Sequence, residues 1–187
     1  MDVNFVIRQD ICENSLVAQL SELLALRCGI CMKSAKQVKM SAVLHDVGKQ
    51  KIPKYILDKP GKLDKREFEV MKTHTKWGAE ILKSLQGGLG TMARETALYH
   101  HEWHNGGGYF GRRSGDLPVY VAIISICDVF IALVRKRVYK PAWTAKEALE
   151  YIKSQAGTQF NPELAKDFIS LIRGDSRVPI ICGGEKG

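Results

Sequence analysis

The chain has no run of 18 or more apolar residues, so nothing in it reads as a membrane-spanning helix. No basic-then-apolar segment opens it, and a cytoplasmic location is expected. Cysteine is scarce: five residues, an odd number without paired spacing, exclude a disulfide framework. Cys28 and Cys31 form a lone CxxC with no second pair and read as packing or chance. Alternating strand patterns and internal repeats are also missing. Histidine is as scarce as cysteine, with five residues, and their positions carry most of the functional signal.

What is there fits one domain. A chain of 187 residues can bury about 70% of its unfolded surface. An apolar content of 45% and a charged content of 26% argue against disorder. The net charge of +8 is local: ten Lys and Arg face three Asp and Glu between 33 and 66, and four more basic residues stand without an acid between 135 and 140. Such a field attracts an anionic partner, be it a polynucleotide, a membrane surface or a small phosphorylated ligand.

Leu16, Leu20, Leu23, Leu24 and Leu26 recur at helical spacing between about 11 and 27. A second helix is expected from Ala35 to Leu44, capped near Gly48. Pro53, Pro60 and Gly61 assign 51–63 to loop or short turns. Asp64 and Glu67 form a capping box that opens a helix to about Leu85. Another helix is expected from Thr91 to Trp103, followed by a flexible glycine-rich loop over 105–111. Val119–Val134 holds 14 apolar residues in 16, broken by Ser125 and Asp128, and reads as a buried central helix. Thr144 with Glu147 opens a helix ending near Gly157, and Asn161-Pro162 opens the last, ending at Gly174. The expected fold is an all-α, single-domain helical bundle over 1–175 with a flexible tail at 176–187.

His45 and Asp46 end an apolar helix just before Gly48 and Lys49. His74 lies on the stripe Val70, His74, Trp77, Ile81; His100 and His101 follow Thr96 and Ala97; Asp128 is the only charge in the central helix. Singly, each reads as a hydrogen-bonded core residue or a salt-bridged carboxylate. Together, on four inward faces, they point to a metal site, because a cation removes the penalty of burying carboxylates. Imidazole with carboxylate suits Fe, Mn, Zn or Ni rather than Ca or Mg. Inward ligands on helices are how bundles build dinuclear centres.

At these residues the sequence resembles the HD-GYP family, a branch of the HD-domain metal-dependent phosphohydrolases. His45-Asp46-Val47-Gly48-Lys49 matches the HD-x-G-K signature, and Ile52-Pro53 through Leu63 matches the loop after it. His74 to Gly78 matches H-x-x-x-G, and His100-His101-Glu102 with Gly106, Gly108 and Tyr109 resembles the stretch that names the family. Arg137, Tyr139 and Lys140 fit its R-P-Y-R/K element, and Ala156 to Pro162 resembles its A-G-T-Q-F-D-P close. The resemblance implies an HD-type bundle holding two divalent metals, most often iron, with Mn, Zn or Ni as alternatives. It implies hydrolysis of a cyclic dinucleotide, cyclic di-GMP above all, to the linear dinucleotide or GMP. Carried over, His45, Asp46, His74, His100, His101 and Asp128 are the metal ligands, with Asp46 bridging. Lys49, Arg137 and Lys140 meet the phosphates, and Asp46 and Lys49 carry the catalytic roles. Tyr109 and Trp103 are candidates to stack on a base, with structural packing as the other reading.

The departures are specific. Glu13 stands where the family has a first-helix histidine and Gln9 where trinuclear members have a glutamate, so Glu13 is a candidate carboxylate ligand and a third metal is not expected. Asn105 and Phe110 replace the loop's aspartate and proline, while Ile131 and Lys136 replace two aspartates after Asp128. Two metals would bind phosphate oxygens and lower the pKa of a bridging water for in-line attack. His104 reads as an exposed loop residue rather than the acid for the leaving oxygen. The rival readings are a degenerate module that binds nucleotide or a signalling protein through the Gly106–Phe110 loop, and a phosphohydrolase for another phosphoester. Because the basic segments flank the ligand residues, the expected anion is a small phosphorylated ligand and not a polynucleotide or a membrane.

Overall fold

A computed structural model describes residues 3–135, 142–176 and 178, with side chains from Asn14 onward apart from Ser114. Helix α1 (Val3–Arg27) and α2 (Met32–Leu44) are joined by a tight turn in which Gly29 takes a φ of 79°. That left-handed residue lets the Ile30 amide donate to the Ala25 carbonyl at 3.0 Å, closing the end of α1. The leucine stripe marks only the second half of α1, which begins well before the expected start near residue 11.

Leu20 and Leu24 of that stripe are fully buried, with Val17, Ala18 and Ala25 beside them. They meet α7 (Val119–Val134), whose Ile123, Ile124, Cys127, Phe130 and Ile131 are buried as the apolar run predicts. Beyond it lie α8 (Ala145–Ser154) and α9 (Pro162–Gly174), where Phe168 meets Phe130 edge-on at 5.2 Å. Each such side chain stabilises the fold by about 1.5–3 kcal/mol. Both expected caps form: Thr144 accepts from the Glu147 amide, and Asn161 accepts from Glu163 and Leu164. No strand occurs among the described residues, and no helix among them is long and apolar enough to cross a membrane.

Between α2 and α7 lie four shorter helices: α3 (Lys54–Leu57), α4 (Lys65–Lys72), α5 (His74–Ile81) and α6 (Gly87–Tyr99). Here three expectations need correction. The single helix expected from Asp64 to Leu85 is two helices, broken at Thr73. There the amide bonds back to the Val70 carbonyl at 3.0 Å and the hydroxyl to the same oxygen at 2.6 Å. The break shifts the inward face of α5 to His74, Thr75 and Gly78, leaving Val70 and Trp77 exposed. Helix α6 starts at Gly87, earlier than Thr91, and stops at Tyr99.

Gly48 is not a helix cap. It lies in a 3-10 turn (Val47–Lys51) pressed against α5, where a Cβ would stand 1.9 Å from the His74 carbonyl oxygen and 2.4 Å from the Gly78 amide nitrogen. Only glycine permits this approach, which carries the end of α2 to the start of α5. Leu82, Ala93 and Ala97, with Leu44 and Val47 against them, form a small apolar cluster under the junction.

Candidate metal centre

Two helix ends and one helix start converge here. His45 follows the last residue of α2, His100 follows the last residue of α6, and His74 is the first residue of α5. All three are buried. Each ring sets its Nδ1 on backbone carbonyl oxygen one turn back: Ala42 at 2.6 Å for His45, Met71 at 2.7 Å for His74, Thr96 at 3.1 Å for His100. A carbonyl only accepts, so Nδ1 carries the hydrogen, and in the neutral ring the Nε2 lone pair faces its neighbours.

Those lone pairs meet carboxylates. His74 Nε2 lies 3.5 Å from His100 Nε2 and 3.3 Å from Asp46 Oδ1. His45 Nε2 lies 3.2 Å from Asp46 Oδ2 and 3.6 Å from Asp128 Oδ1. Asp46 thus turns one oxygen to His45 and the other to His74 and His100. His101 packs its ring against His100 at 4.0 Å and against His74 at 5.2 Å. His45 Nε2 and Asp46 Oδ1 are buried without a hydrogen-bond partner. Carboxylates and imidazoles crowded together in a protein interior are unfavourable, and a divalent cation relieves them. Two overlapping groups have ligand atoms close enough for one, all within 4.8 Å: His45, Asp46 and His100, and His74, His100 and His101.

The electrostatics agree. Burial opposes the charged form of His45, yet Asp46 and Asp128 overcome it and raise the imidazole to about 10. Burial also opposes ionisation of Asp46, but the His45 and Lys49 charges hold its carboxyl well below the usual range. Burial, and then the His45 charge, push His100 down to about 3; burial and His100 push His101 down to about 2. One site therefore holds a proton while the neighbouring imidazoles stay neutral, which is the state in which they can ligate a metal.

Around this cluster the structure places the other expected residues unequally. Lys49 Nζ is 2.5 Å from Asp46 Oδ2, with the side chain 39% exposed. Tyr109 lies over His101, ring centroids 4.6 Å apart at 35°. Trp103 packs under Gly107, where a Cβ would stand 2.8 Å from its ring. The Glu13 and Gln9 side chains and Lys136, Arg137, Tyr139 and Lys140 lie outside the described residues, as does the expected tail over 176–187 apart from Ser176 and Val178. His104 is not an exposed loop residue. It is half-buried beside a cavity of about 20 Å³, the size of one water, that Glu102, Ser125 and Gln159 also line.

Glu102 is the residue that sequence reasoning passed over. It is 6% exposed, and its two oxygens accept from the Phe110 and Arg112 amides, both at 2.7 Å. Gly108 lies so close to this segment that a Cβ would stand 2.4 Å from Glu102 Cα. The loop over 105–111 is therefore clamped rather than flexible, and Tyr109 is held next to the bond at Phe110. The available signal was an acid preceding a glycine-rich segment with few side chains to satisfy its own amides.

A family model describing an HD domain matches residues 8–164. The chain belongs to the HD domain family. Among curated relatives, a 3'3'-cGAMP-specific phosphodiesterase 2 of Vibrio cholerae is 42% identical over 151 residues, covering 80% of this chain and 29% of the relative. The cyclic di-GMP phosphodiesterase response regulator RpfG of Xanthomonas campestris is 37% identical over 168 residues, covering 89% of this chain and 44% of the relative. The chain thus spans less than half the length of these two relatives. Among solved structures, Bd1817, an HDG"Y"P protein of Bdellovibrio bacteriovorus, superposes with a TM-score of 0.71 at 19% identity, over 88% of this chain and 53% of that one, a likeness of fold. The His45-Asp46 pair that gives an HD domain its name lies at the centre of the cluster.

Proposed function

We propose that this HD domain is a metal-dependent phosphodiesterase that hydrolyses a cyclic dinucleotide, cyclic di-GMP in the first instance. The observation that carries the reading is the convergence of His45, Asp46, His74 and His100 around unpartnered buried acceptors, in a chain similar to cyclic-dinucleotide phosphodiesterases. His45, Asp46, His74, His100, His101 and Asp128 would hold two divalent cations, iron in the first instance. Bound there, these would neutralise phosphate charge and make water a nucleophile at neutral pH.

The chain's own groups do the rest. The backbone bonds at Nδ1 fix the orientation of three imidazoles, so the ligand set is organised in advance. Asp46 spans the cluster with its two oxygens, which suits a bridging role. Lys49 places a cation at the mouth beside Asp46, where it can meet a phosphoryl oxygen. Tyr109, clamped over His101, closes one side of the centre against water. Arg137 and Lys140 belong to this proposal as phosphate contacts. A signalling-protein partner at the Gly106–Phe110 loop is a second reading, supported by the 39% exposure of Phe110.

The test is turnover of cyclic di-GMP by protein loaded with Fe(II) or Mn(II) under low oxygen, beside Asp46→Ala. Linear dinucleotide or GMP should appear with the wild type, and the variant should lose both product and metal. Full metal occupancy with tight nucleotide binding and no product would establish the degenerate module instead. Turnover of mononucleotides alone would point to another phosphohydrolase.

A further inference from the structure

Helix α4 stands apart from the rest of the bundle. It has a full capping box, formed by Asp64 and Glu67, yet none of its residues is buried. Phe68 is 43% exposed, an arrangement that leaves a large apolar side chain in water on an otherwise well-made helix. Its ring meets Tyr109 edge-on, centroids 6.1 Å apart at 87°. Lys72 stands over both rings, 5.3 Å from the Phe68 centroid and 5.6 Å from the Tyr109 centroid. One turn back, Glu69 binds Lys72 Nζ at 2.6 Å while 69% of its side chain is open to solvent. Outward from the metal ligands the order is therefore His101, Tyr109, Phe68, with an acid and a cation on the margin. Tyr109 therefore touches both His101 of the metal centre and Phe68 of α4.

We propose that Phe68, Tyr109, Lys72 and Glu69 form a base-binding subsite at the rim of the metal centre, with Glu69 selecting guanine over adenine. The inference rests on the cyclic-dinucleotide reading and assigns that substrate's base to this chain's own residues. Stacking supplies the affinity: a nucleobase offers its face to an exposed aromatic ring, and a cation beside the rings adds to the attraction. The acid supplies the choice. Guanine presents two adjacent donors, N1–H and its 2-amino group, and an ionised carboxylate presents two acceptors. Adenine presents an acceptor at N1 beside its 6-amino group, so the same carboxylate meets one donor and one opposing lone pair. Lys72 occupies Glu69 from one side and holds the carboxylate in place without using up its lone pairs.

The question is real for this chain, because its relatives are named for substrates that differ in one base. The test is equilibrium binding of phosphorothioate analogues of cyclic di-GMP and cyclic di-AMP, which resist hydrolysis, to metal-loaded protein. Wild-type protein should prefer the guanine analogue by about tenfold or more. Glu69→Gln, whose amide offers one donor and one acceptor, should bring that ratio to about one or reverse it with metal content unchanged. Phe68→Ala should weaken both analogues by about tenfold and leave their ratio alone. Glu80→Gln, an exposed acid paired with Lys83 on α5, should change neither. An unchanged ratio in Glu69→Gln, or equal wild-type affinities, overturns the subsite while the cyclic-dinucleotide reading stands. Binding of neither analogue by fully loaded wild type removes that reading and the subsite with it.

Discussion

Removing the Glu102 carboxylate should loosen one loop and leave the bundle intact. The carboxylate makes two charge-assisted bonds of 2.7 Å, to the Phe110 and Arg112 amides, and is itself 6% exposed. Bonds to a charged group contribute about 1.5–3 kcal/mol each. The two amides lie near the surface and regain water when released, so the net loss in Glu102→Ala should be about 3 kcal/mol. At about 1.4 kcal/mol per decade, this is about a hundredfold loss of hydrogen-exchange protection at those two amides. Exchange followed residue by residue is therefore the assay, with amides in α7 as the internal reference. Glu102→Gln should fall between, because its oxygen still accepts from one amide while its NH2 group faces the other. Tyr109 immediately precedes the first of the two bonds, so binding of a cyclic dinucleotide should weaken while metal content stays at the wild-type level. Unchanged protection at Phe110 and Arg112 in the alanine variant would refute the clamp. Global unfolding would refute the claim that the effect is local.

Gly48→Ala should destabilise the protein by about 3 kcal/mol or more, because the added Cβ meets backbone at 1.9 Å and nothing flexible can yield; urea denaturation and metal content measured together would show both losses. The raised His45 value gives two pH effects. Its folded value of about 10 exceeds the ordinary imidazole value of 6.5, so in metal-free protein its contribution to stability is complete below about pH 6.5 and is lost as pH rises toward 10. Denaturation of metal-free protein across that range should show the decline, and a flat profile counts against the pairing of His45 with Asp46 and Asp128. At pH 8 a cation must also displace that proton. Calorimetric titration of metal in buffers of different ionisation enthalpy should report release of about one proton, and none if His45 is already neutral.

What could be read in advance and what could not divide along one physical line. Thr144 with Glu147, and Asn161 with Pro162, announce their helices because a cap is satisfied within four residues. Asp128 and His45 announce themselves because a polar group in an apolar helix has to be compensated. The break at Thr73 carries no glycine or proline, and it is visible only once the 3-10 turn bearing Gly48 is seen against α5. Helix α6 opens on glycines that argue against helix by propensity. It forms because Gly90 closes on the Leu85 carbonyl, where a Cβ would stand at 2.1 Å, and because Arg94 donates to that same oxygen at 2.8 Å. Glu102 acts eight and ten residues away, a distance at which no local pattern betrays a partner.

The location of the ligands at helix ends follows from the same reasoning. The last carbonyls of a helix lack amide partners and carry partial negative charge, so the ends of α2 and α6 at His45 and His100 favour a cation between them. Carbonyls in these last turns also accept from Nδ1, Ala42 for His45 and Thr96 for His100, and turn each Nε2 toward the centre, so the helix ends both attract charge and aim the ligands. Asp128, the one mid-helix member, is a carboxylate that needs no tautomer fixed, and it is oriented instead by His45 at 3.6 Å. With three histidines at helix termini and Asp128 mid-helix, these four side chains are thus held by backbone carbonyls and by one another, without a further buried polar side chain.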